Sequence, residues 1–125
     1  MERVTGIGGI FFKSTDPQKL REWYEKYLGI KAEKNGTMFE WREKEAPERV
    51  GCTIWSPFPA STKYFDPSHA PFMINYRVAN LHALIGQLQQ EGVQIAGGIE
   101  ESDYGKFAWV MDPEGNRIEL WEPPE

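Results

Sequence analysis

Glu119 is the residue of this 125-residue chain whose setting most favours acid–base chemistry. It lies in the segment Arg117 to Trp121, where alternating apolar residues predict a strand. Because strand side chains alternate in direction, Arg117, Glu119 and Trp121 share one face. A carboxylate held among aromatic side chains is a candidate general acid or base. An ordinary cross-strand ion pair with Arg77 or Arg117 is the alternative, and the sequence leaves both open.

Few other side chains offer chemistry. Cys52 is the only cysteine and no neighbour marks it as a nucleophile, so we expect a buried structural residue without an internal disulfide. His69 falls in a proline-rich segment and His82 follows a helix N-cap on the polar side of its helix. Neither histidine is predicted to bind a metal. Lysine and arginine form no cluster in a chain of net charge −5, which argues against nucleic acid as a partner.

The hydropathy pattern sets the expected location. No apolar run approaches the roughly 20 residues that span a bilayer. No apolar stretch of signal-peptide length follows a basic start. Together with the lone cysteine, these features predict a cytoplasmic protein without a membrane partner. Five Trp, seven Phe and five Tyr predict either an aromatic core or an aromatic-lined site.

The first half of the chain predicts a strand, a helix and three further strands. The first strand covers Ile7 to Lys13. The helix has Asp16 as N-cap, Pro17 at its first position and Gly29 as its C-terminal glycine. The later strands are predicted at Ile30 to Glu33, Thr37 to Arg42 and Gly51 to Ser56, with a hairpin turn at Asn35-Gly36.

The second half repeats this order after a proline-rich linker over residues 59–71, whose aromatic residues suggest a packed loop. Asn80 is the predicted N-cap of a helix that ends before Gly92. Residues 97–105 form a Gly-rich acidic segment and are predicted to be a loop. The strands of this half are predicted at Phe72 to Val78, Val93 to Ala96, Lys106 to Met111 and Arg117 to Trp121, with a turn at Asp112 to Asn116.

The two halves are related by a nearly constant offset. Gly9 aligns with Met73, and Asp16 with Asn80, at 64 residues, whereas Gly29 aligns with Gly92 at 63 residues. Agreement of caps, glycines and strand order favours an internal duplication over chance similarity of two strand–helix units. We therefore predict one domain over residues 1–125, with module one at about 4–58, the linker at 59–71 and module two at 72–123.

Three segments of this sequence resemble the vicinal oxygen chelate superfamily, the glyoxalase, bleomycin resistance protein and dioxygenase family. They are GIGGIFFKSTDPQKLREWYEKYLGI, FMINYRVANLHALIGQLQQEGV and FAWVMDPEGNRIELWEP. The resemblance covers nearly all of the chain, and its DP-x-GN-x-IEL ending is the most specific part. It implies an α+β fold in which two βαβββ modules form a cupped eight-stranded mixed sheet. It also implies a site inside the cup and a homodimer.

The family typically holds a divalent metal on four side chains, two per module. The resemblance places these positions at Gly9, Met73 and Glu119, with Trp55 as the counterpart of Glu119 by the offset. Only Glu119 carries a good ligand for a hard cation, which favours several oxygen or nitrogen donors. We therefore expect no metal and no other cofactor.

The cup face predicted from this alignment combines aromatic, amide and charged side chains, a composition typical of a ligand pocket. Trp41 is a further candidate for its wall. Phe11, Trp55 and Trp121 could instead fill the cup as core. The predicted ligand-binding residues are Phe11, Trp55, Met73, Asn75, Arg77, Phe107, Trp109 and Trp121.

These features favour a glyoxalase-like protein that binds a small aromatic or amphipathic molecule in the cup. The enzyme alternative is a lyase, isomerase or dioxygenase of this family that uses Glu119 as a catalytic residue with a reduced or rearranged metal site. A third class is an interaction domain whose cup is filled by its own side chains. Function resides in the site and not in the fold, so the resemblance alone does not choose among them.

Overall fold

Seven strands and two helices form the part of the chain that the computed structural model describes, residues 2–33 and 36–124. This architecture confirms the predicted α+β class. In chain order the elements are β1 (Val4–Ser14), α1 (Pro17–Leu28), β2 (Thr37–Arg42), β3 (Val50–Pro59), β4 (Phe72–Val78), α2 (Leu81–Gln90), β5 (Glu100–Ser102), β6 (Gly105–Met111) and β7 (Arg117–Glu122).

The seven strands form one mixed sheet in the order β2-β3-β1-β4-β7-β6-β5. The antiparallel pair β1 and β4 stands at its middle, and each of these strands has the last strand of its own half beside it in parallel. The halves thus have the same local arrangement, as the internal offset predicted. Phe11 lies opposite Ser56 in the first half, and Asn75 lies opposite Glu119 in the second.

Both helices begin at the predicted caps. Asp16 accepts a hydrogen bond from the backbone N–H of Lys19, and Asn80 accepts one from Ala83, which satisfies a free donor in each first turn. Gly29 ends α1 with φ 71°, a left-handed conformation that favours glycine. Helix α2 covers one half of the sheet, with buried packing among Val78, Leu81, Leu84, Ile85, Ala108, Val110 and Leu120. Neither helix is long and apolar enough to cross a membrane.

Two predicted strands are reduced to single bridges, so the described ranges contain seven strands and not eight. Residues 93–96 form only the bridge Ile95–Val110, with backbone hydrogen bonds from Ala96 N–H to the Trp109 carbonyl and from Met111 N–H to the Gln94 carbonyl. Residues 30–33 form only the bridge Glu33–Gly36, directly after the left-handed Gly29. Asn35 of the predicted hairpin turn lies outside the described residues. The short strand β5 lies within the predicted loop at 97–105.

The proline-rich segment between β3 and β4 folds back on the sheet. Its ends are tied to β1 by backbone hydrogen bonds from Ala60 N–H to the Ser14 carbonyl and from Lys13 N–H to the Pro71 carbonyl. Phe65 in its middle is completely buried. The segment is therefore the packed loop that its aromatic residues suggested.

Candidate functional site

The cup face of β4, β6 and β7 surrounds Glu119 with hydrogen-bond donors. Asn75 lies opposite Glu119 on β4, and Trp109 lies opposite it on β6. The Asn75 Nδ2 donates to Glu119 Oε1 at 2.6 Å, and the Trp109 Nε1 donates to Glu119 Oε2 at 3.0 Å. Glu119 is only 2% exposed. The carboxylate is buried but well hydrogen-bonded, which is how a charge is tolerated inside a protein.

Tyr64 from the proline-rich loop closes over this carboxylate. Its hydroxyl donates to Glu119 Oε2, and its ring meets the Trp109 ring edge-on with centroids 6.2 Å apart. The Arg117 guanidinium donates to the Tyr64 carbonyl and lies over the faces of Tyr64 and Trp109. A loop residue therefore completes the surroundings of Glu119. The ion pairs predicted for Glu119 with Arg77 or Arg117 are not among the ion pairs formed in residues 2–33 and 36–124.

The position of Tyr64 raises the pKa of its hydroxyl. Burial is the main cause, and the adjacent Glu119 charge and the hydrogen bond to Glu119 act in the same direction. The Trp109 hydrogen bond and the Arg117 charge oppose the change. Tyr64 is consequently held as a neutral hydrogen-bond donor to the carboxylate.

We expect Tyr64 to titrate later than an ordinary tyrosine at alkaline pH. In the unfolded chain the hydroxyl loses its proton near pH 10, whereas the folded protein retains it. The stabilisation from Tyr64 is therefore complete below about pH 10 and decreases as pH rises towards the folded pKa. A tyrosinate absorbance titration of the wild type should contain one late transition that Tyr64→Phe removes. If Tyr64→Phe instead removed a transition at the pH of an ordinary tyrosine, the contact between Tyr64 and Glu119 would be contradicted.

Half of the predicted ligand-binding residues form core in the structure. Phe11 is 9% exposed, Met73 is completely buried and Trp109 is 5% exposed, in one cluster with Phe65. Asn75 is buried with them at 2% exposure. Phe58 extends this cluster, with its ring 5.3 Å from those of Phe11 and Phe65. The cup is therefore filled by side chains of the sheet and the loop on the side of Glu119.

Trp55 lies away from this cluster. Its ring packs against Phe12 at 5.3 Å and against Tyr24 of α1 at 4.8 Å. The register explains this position: Ser56 is the residue opposite Phe11, so its neighbour Trp55 points to the other face. By the same register, the counterpart of Glu119 in module one is Ser56, which is buried, and not Trp55.

Three other predicted residues, Arg77, Phe107 and Trp121, come together beside the buried cluster, against which Phe107 also packs. Arg77 has its guanidinium carbon 5.3 Å from the Trp41 ring centre and 5.2 Å from that of Trp121. Phe107 stacks on Trp121 with centroids 6.1 Å apart and an interplanar angle of 8°. The four side chains form a ladder, and all are partly exposed. A cavity of about 710 Å³ borders Trp41 and Arg77.

The residues at the four family metal positions do not fit a divalent metal. A Cβ at Gly9 would lie 2.7 Å from the Phe11 ring, so no liganding side chain could replace the glycine without displacing Phe11. Met73 offers a thioether and Ser56 a hydroxyl, neither of which matches a carboxylate or imidazole as ligand. Among residues 2–33 and 36–124, His, Cys, Asp and Glu nowhere come together in a group of three.

The sequence predicts Glu119 and most of its surroundings but not the presence of Tyr64, Phe65 and Ser56 in the cup. Tyr64 and Phe65 belong to the loop, and their only sequence signal was aromatic character among prolines. Ser56 was missed because the alignment was displaced by one residue. The 63-residue spacing of Gly29 and Gly92 was the signal that could have located it.

Solved structures of similar fold cover almost the whole chain. Methylmalonyl-CoA epimerase from Streptomyces coelicolor, in complex with 2-nitronate-propionyl-CoA, has a TM-score of 0.70 at 15% identity, covering 98% of this chain and 100% of that chain. Methylmalonyl-CoA epimerase from Mycobacterium tuberculosis has a TM-score of 0.63 at 18% identity, covering 98% and 90%. A hypothetical protein from Bacillus halodurans has a TM-score of 0.63 at 14% identity, covering 99% and 96%. These likenesses establish a shared fold.

The family assignment comes from the sequence itself. No curated protein sequence matches the chain significantly. The model of one family, described as Glyoxalase/Bleomycin resistance protein/Dioxygenase superfamily, matches residues 6–120, which is most of the chain. This match agrees with the strand order and with the fold of the solved structures. The chain belongs to the glyoxalase/bleomycin resistance protein/dioxygenase superfamily.

Proposed function

We propose that this protein binds a small aromatic or amphipathic molecule and does so without a divalent metal. The observation that carries the proposal is the set of donors on Glu119, where Asn75, Trp109 and Tyr64 all donate to the one carboxylate. A metal at Glu119 would have to displace the Tyr64 hydroxyl. It would also lose water ligands at a site that offers few oxygen or nitrogen ligands to replace them.

The state of Glu119 also favours binding over proton transfer. A general base needs a carboxylate oxygen within reach of the substrate proton. Both oxygens of Glu119 already accept hydrogen bonds, and Tyr64 covers the side chain from the loop. A lyase, isomerase or dioxygenase reaction through Glu119 would require this loop to open first.

The partly exposed surface around Arg77 is the better candidate for ligand binding. Arg77, Phe107 and Trp121 are all partly exposed there, beside Trp41. Aromatic walls with one charged group are typical of small-molecule sites. Seven of the eight ligand-binding residues predicted from the sequence therefore divide into a structural group around Glu119 and a proposed binding group around Arg77, whereas Trp55 packs against α1.

Tryptophan fluorescence tests the proposal, since two of the indoles belong to the ladder. We expect some members of a library of small aromatic compounds to quench the fluorescence saturably. Their affinities should be unchanged after dialysis against a chelator, in protein containing far less than one equivalent of Ni, Zn, Mn or Fe. One equivalent of metal together with loss of binding on chelation would refute the metal-free account. A library without a single hit would refute binding and favour an interaction domain with a self-filled cup.

The homodimer implied by the family resemblance stays a prediction. Its support is the exposed aromatic surface of α1, where Trp23 is 50% exposed, Tyr27 is 60% exposed and their ring centroids lie 5.2 Å apart. Large exposed apolar side chains in one region are typical of association surfaces. A sedimentation-equilibrium mass of two chains would support this proposal, and a mass of one chain at micromolar concentration would refute it.

A further inference from the structure

Arg77 lies at the wall of the cavity in contact with two indole rings. The Trp41 and Trp121 rings lie on it at 5.3 and 5.2 Å, distances at which cation–π attraction operates. The hydrogen-bond donors of the guanidinium are its N–H groups, which project from the edge of its plane. These donors are arranged as a planar fork that matches the oxygens of a carboxylate or phosphate.

Arg77 has no carboxylate partner among the ion pairs that residues 2–33 and 36–124 form. Its hydrogen bond to another side chain is a weak one, from Nη1 to Cys52 Sγ at 4.0 Å. The nearby Glu122 is already engaged, since it pairs with Lys106 at 3.6 Å and accepts the Leu81 N–H at 2.8 Å. A partly buried guanidinium without a counter-ion is an attractive site for an anion.

The adjoining cavity has the size and charge for such a ligand. Its volume of about 710 Å³ falls in the range of small-molecule sites. Its charged lining consists of four cationic side chains, Arg42, Lys44, Arg49 and Arg77, and three carboxylates, Glu43, Glu45 and Glu122. Glu43 pairs with Arg49 at 3.9 Å. The cavity therefore carries a cationic excess in a chain whose net charge is −5.

Apolar groups complete the lining. Trp41, Val78, Ala79, Pro123 and Pro124 border the same cavity. An aromatic body could pack against them while its anionic group reaches Arg77. Amphipathic ligands of this kind match both parts of the wall, the charged fork and the apolar surface.

We propose that the protein binds a small aromatic oxyanion in this cavity, with the carboxylate or phosphate held by the edge of the Arg77 guanidinium. The inference rests on the proposed function, because it names the ligand class of the same metal-free binding protein. Trp41 and Trp121 act as positioning residues, since both indole rings contact the guanidinium.

Three matched probes test the inference by titration calorimetry: 2-naphthoate, 2-naphthyl phosphate and the neutral 2-naphthalenemethanol. At least one anionic probe should bind the wild type about 10- to 100-fold more tightly than the neutral probe, as expected for a hydrogen-bonded charge. The stronger anion identifies carboxylate or phosphate as the recognised group. Equal binding of all three would overturn the inference.

Substitutions at Arg77 separate charge recognition from folding. Arg77→Gln should abolish the preference for the anion and leave the affinity for the neutral probe within about threefold. Arg77→Lys should retain part of the preference, because lysine keeps the charge but loses the planar fork. The control is Arg21→Gln on α1, which removes one cationic side chain that does not line the cavity and should preserve the preference. An Arg77→Gln variant that keeps the full preference would refute the assignment.

The outcome also distinguishes this inference from the proposed function. If the naphthyl probes fail to bind while other aromatic compounds quench tryptophan fluorescence, the oxyanion assignment is wrong and metal-free binding stands. If neither set binds, both are wrong.

Discussion

Replacing Glu119 with alanine is expected to lower the free energy of unfolding by about 3–5 kcal/mol. The substitution removes the acceptor for the buried Asn75 and Trp109 donors and for the Tyr64 hydroxyl. A buried donor without an acceptor costs about 1–3 kcal/mol, and the loss of side-chain volume adds to that cost. Urea unfolding followed by far-UV circular dichroism measures the effect.

The matched control is Glu119→Gln, which conserves shape and one acceptor oxygen. It should cost about 1–2 kcal/mol, because one donor must then face the amide nitrogen. We expect the free energy of unfolding to decrease in the order wild type, Glu119→Gln, Glu119→Ala. An alanine variant as stable as the wild type would show that Glu119 is not the acceptor at the centre of the cup.

Replacing Phe65 with alanine is expected to lower the free energy of unfolding by about 3–5 kcal/mol, as for other buried aromatic residues. Phe65 is completely buried although it belongs to a connecting loop, and it packs against Phe58 with ring centroids 5.3 Å apart. Its removal leaves a cavity between the loop and the sheet. The urea midpoint should fall accordingly, because less denaturant is needed to unfold a less stable protein.

Tyr104→Ala is the control for this substitution. Tyr104 is 77% exposed, and its contact with Trp121 is made by its backbone carbonyl, which alanine retains. The expected change is within about 0.5 kcal/mol. If Phe65→Ala behaved like Tyr104→Ala, the loop would not fill the cup.

Much of the fold was predictable because its determinants are local. The caps Asp16 and Asn80 and the left-handed Gly29 mark helix ends through contacts within a few residues. The turn at Asp112 is equally local: its carboxylate accepts hydrogen bonds from the Asn116 side-chain amide and from the Asn116 and Glu114 backbone N–H groups, which lower the pKa of Asp112. Such signals stand in adjacent sequence and fix element order without tertiary information.

The register of β3 was less predictable. A shift of one residue moves a strand side chain from one face of the sheet to the other. The offset of 64 therefore placed Trp55 in the cup, whereas the observed pairing puts Ser56 there and Trp55 against α1. Register depends on pairing between distant strands, which hydrophobic periodicity does not specify.

Sequence patterns do not predict which residues cover Glu119 in the cup. Tyr64 meets Glu119 across 55 residues of chain, from a loop with no periodicity of its own. Its ring also packs on Trp109, which is on a strand two places from β4 in the sheet. Contacts of this kind arise only after the sheet has formed, so the sequence could identify Glu119 but not what covers it.

The Tyr64 hydroxyl occupies the position beside Glu119 that the family resemblance assigns to a metal. A crystal structure of protein crystallised in excess Mn²⁺, with anomalous data, tests this most directly. We expect no manganese peak at the Glu119 carboxylate and a Tyr64 hydroxyl that still donates to it. A manganese ion bound to Glu119, with Tyr64 displaced and the loop at 59–71 moved away, would contradict it.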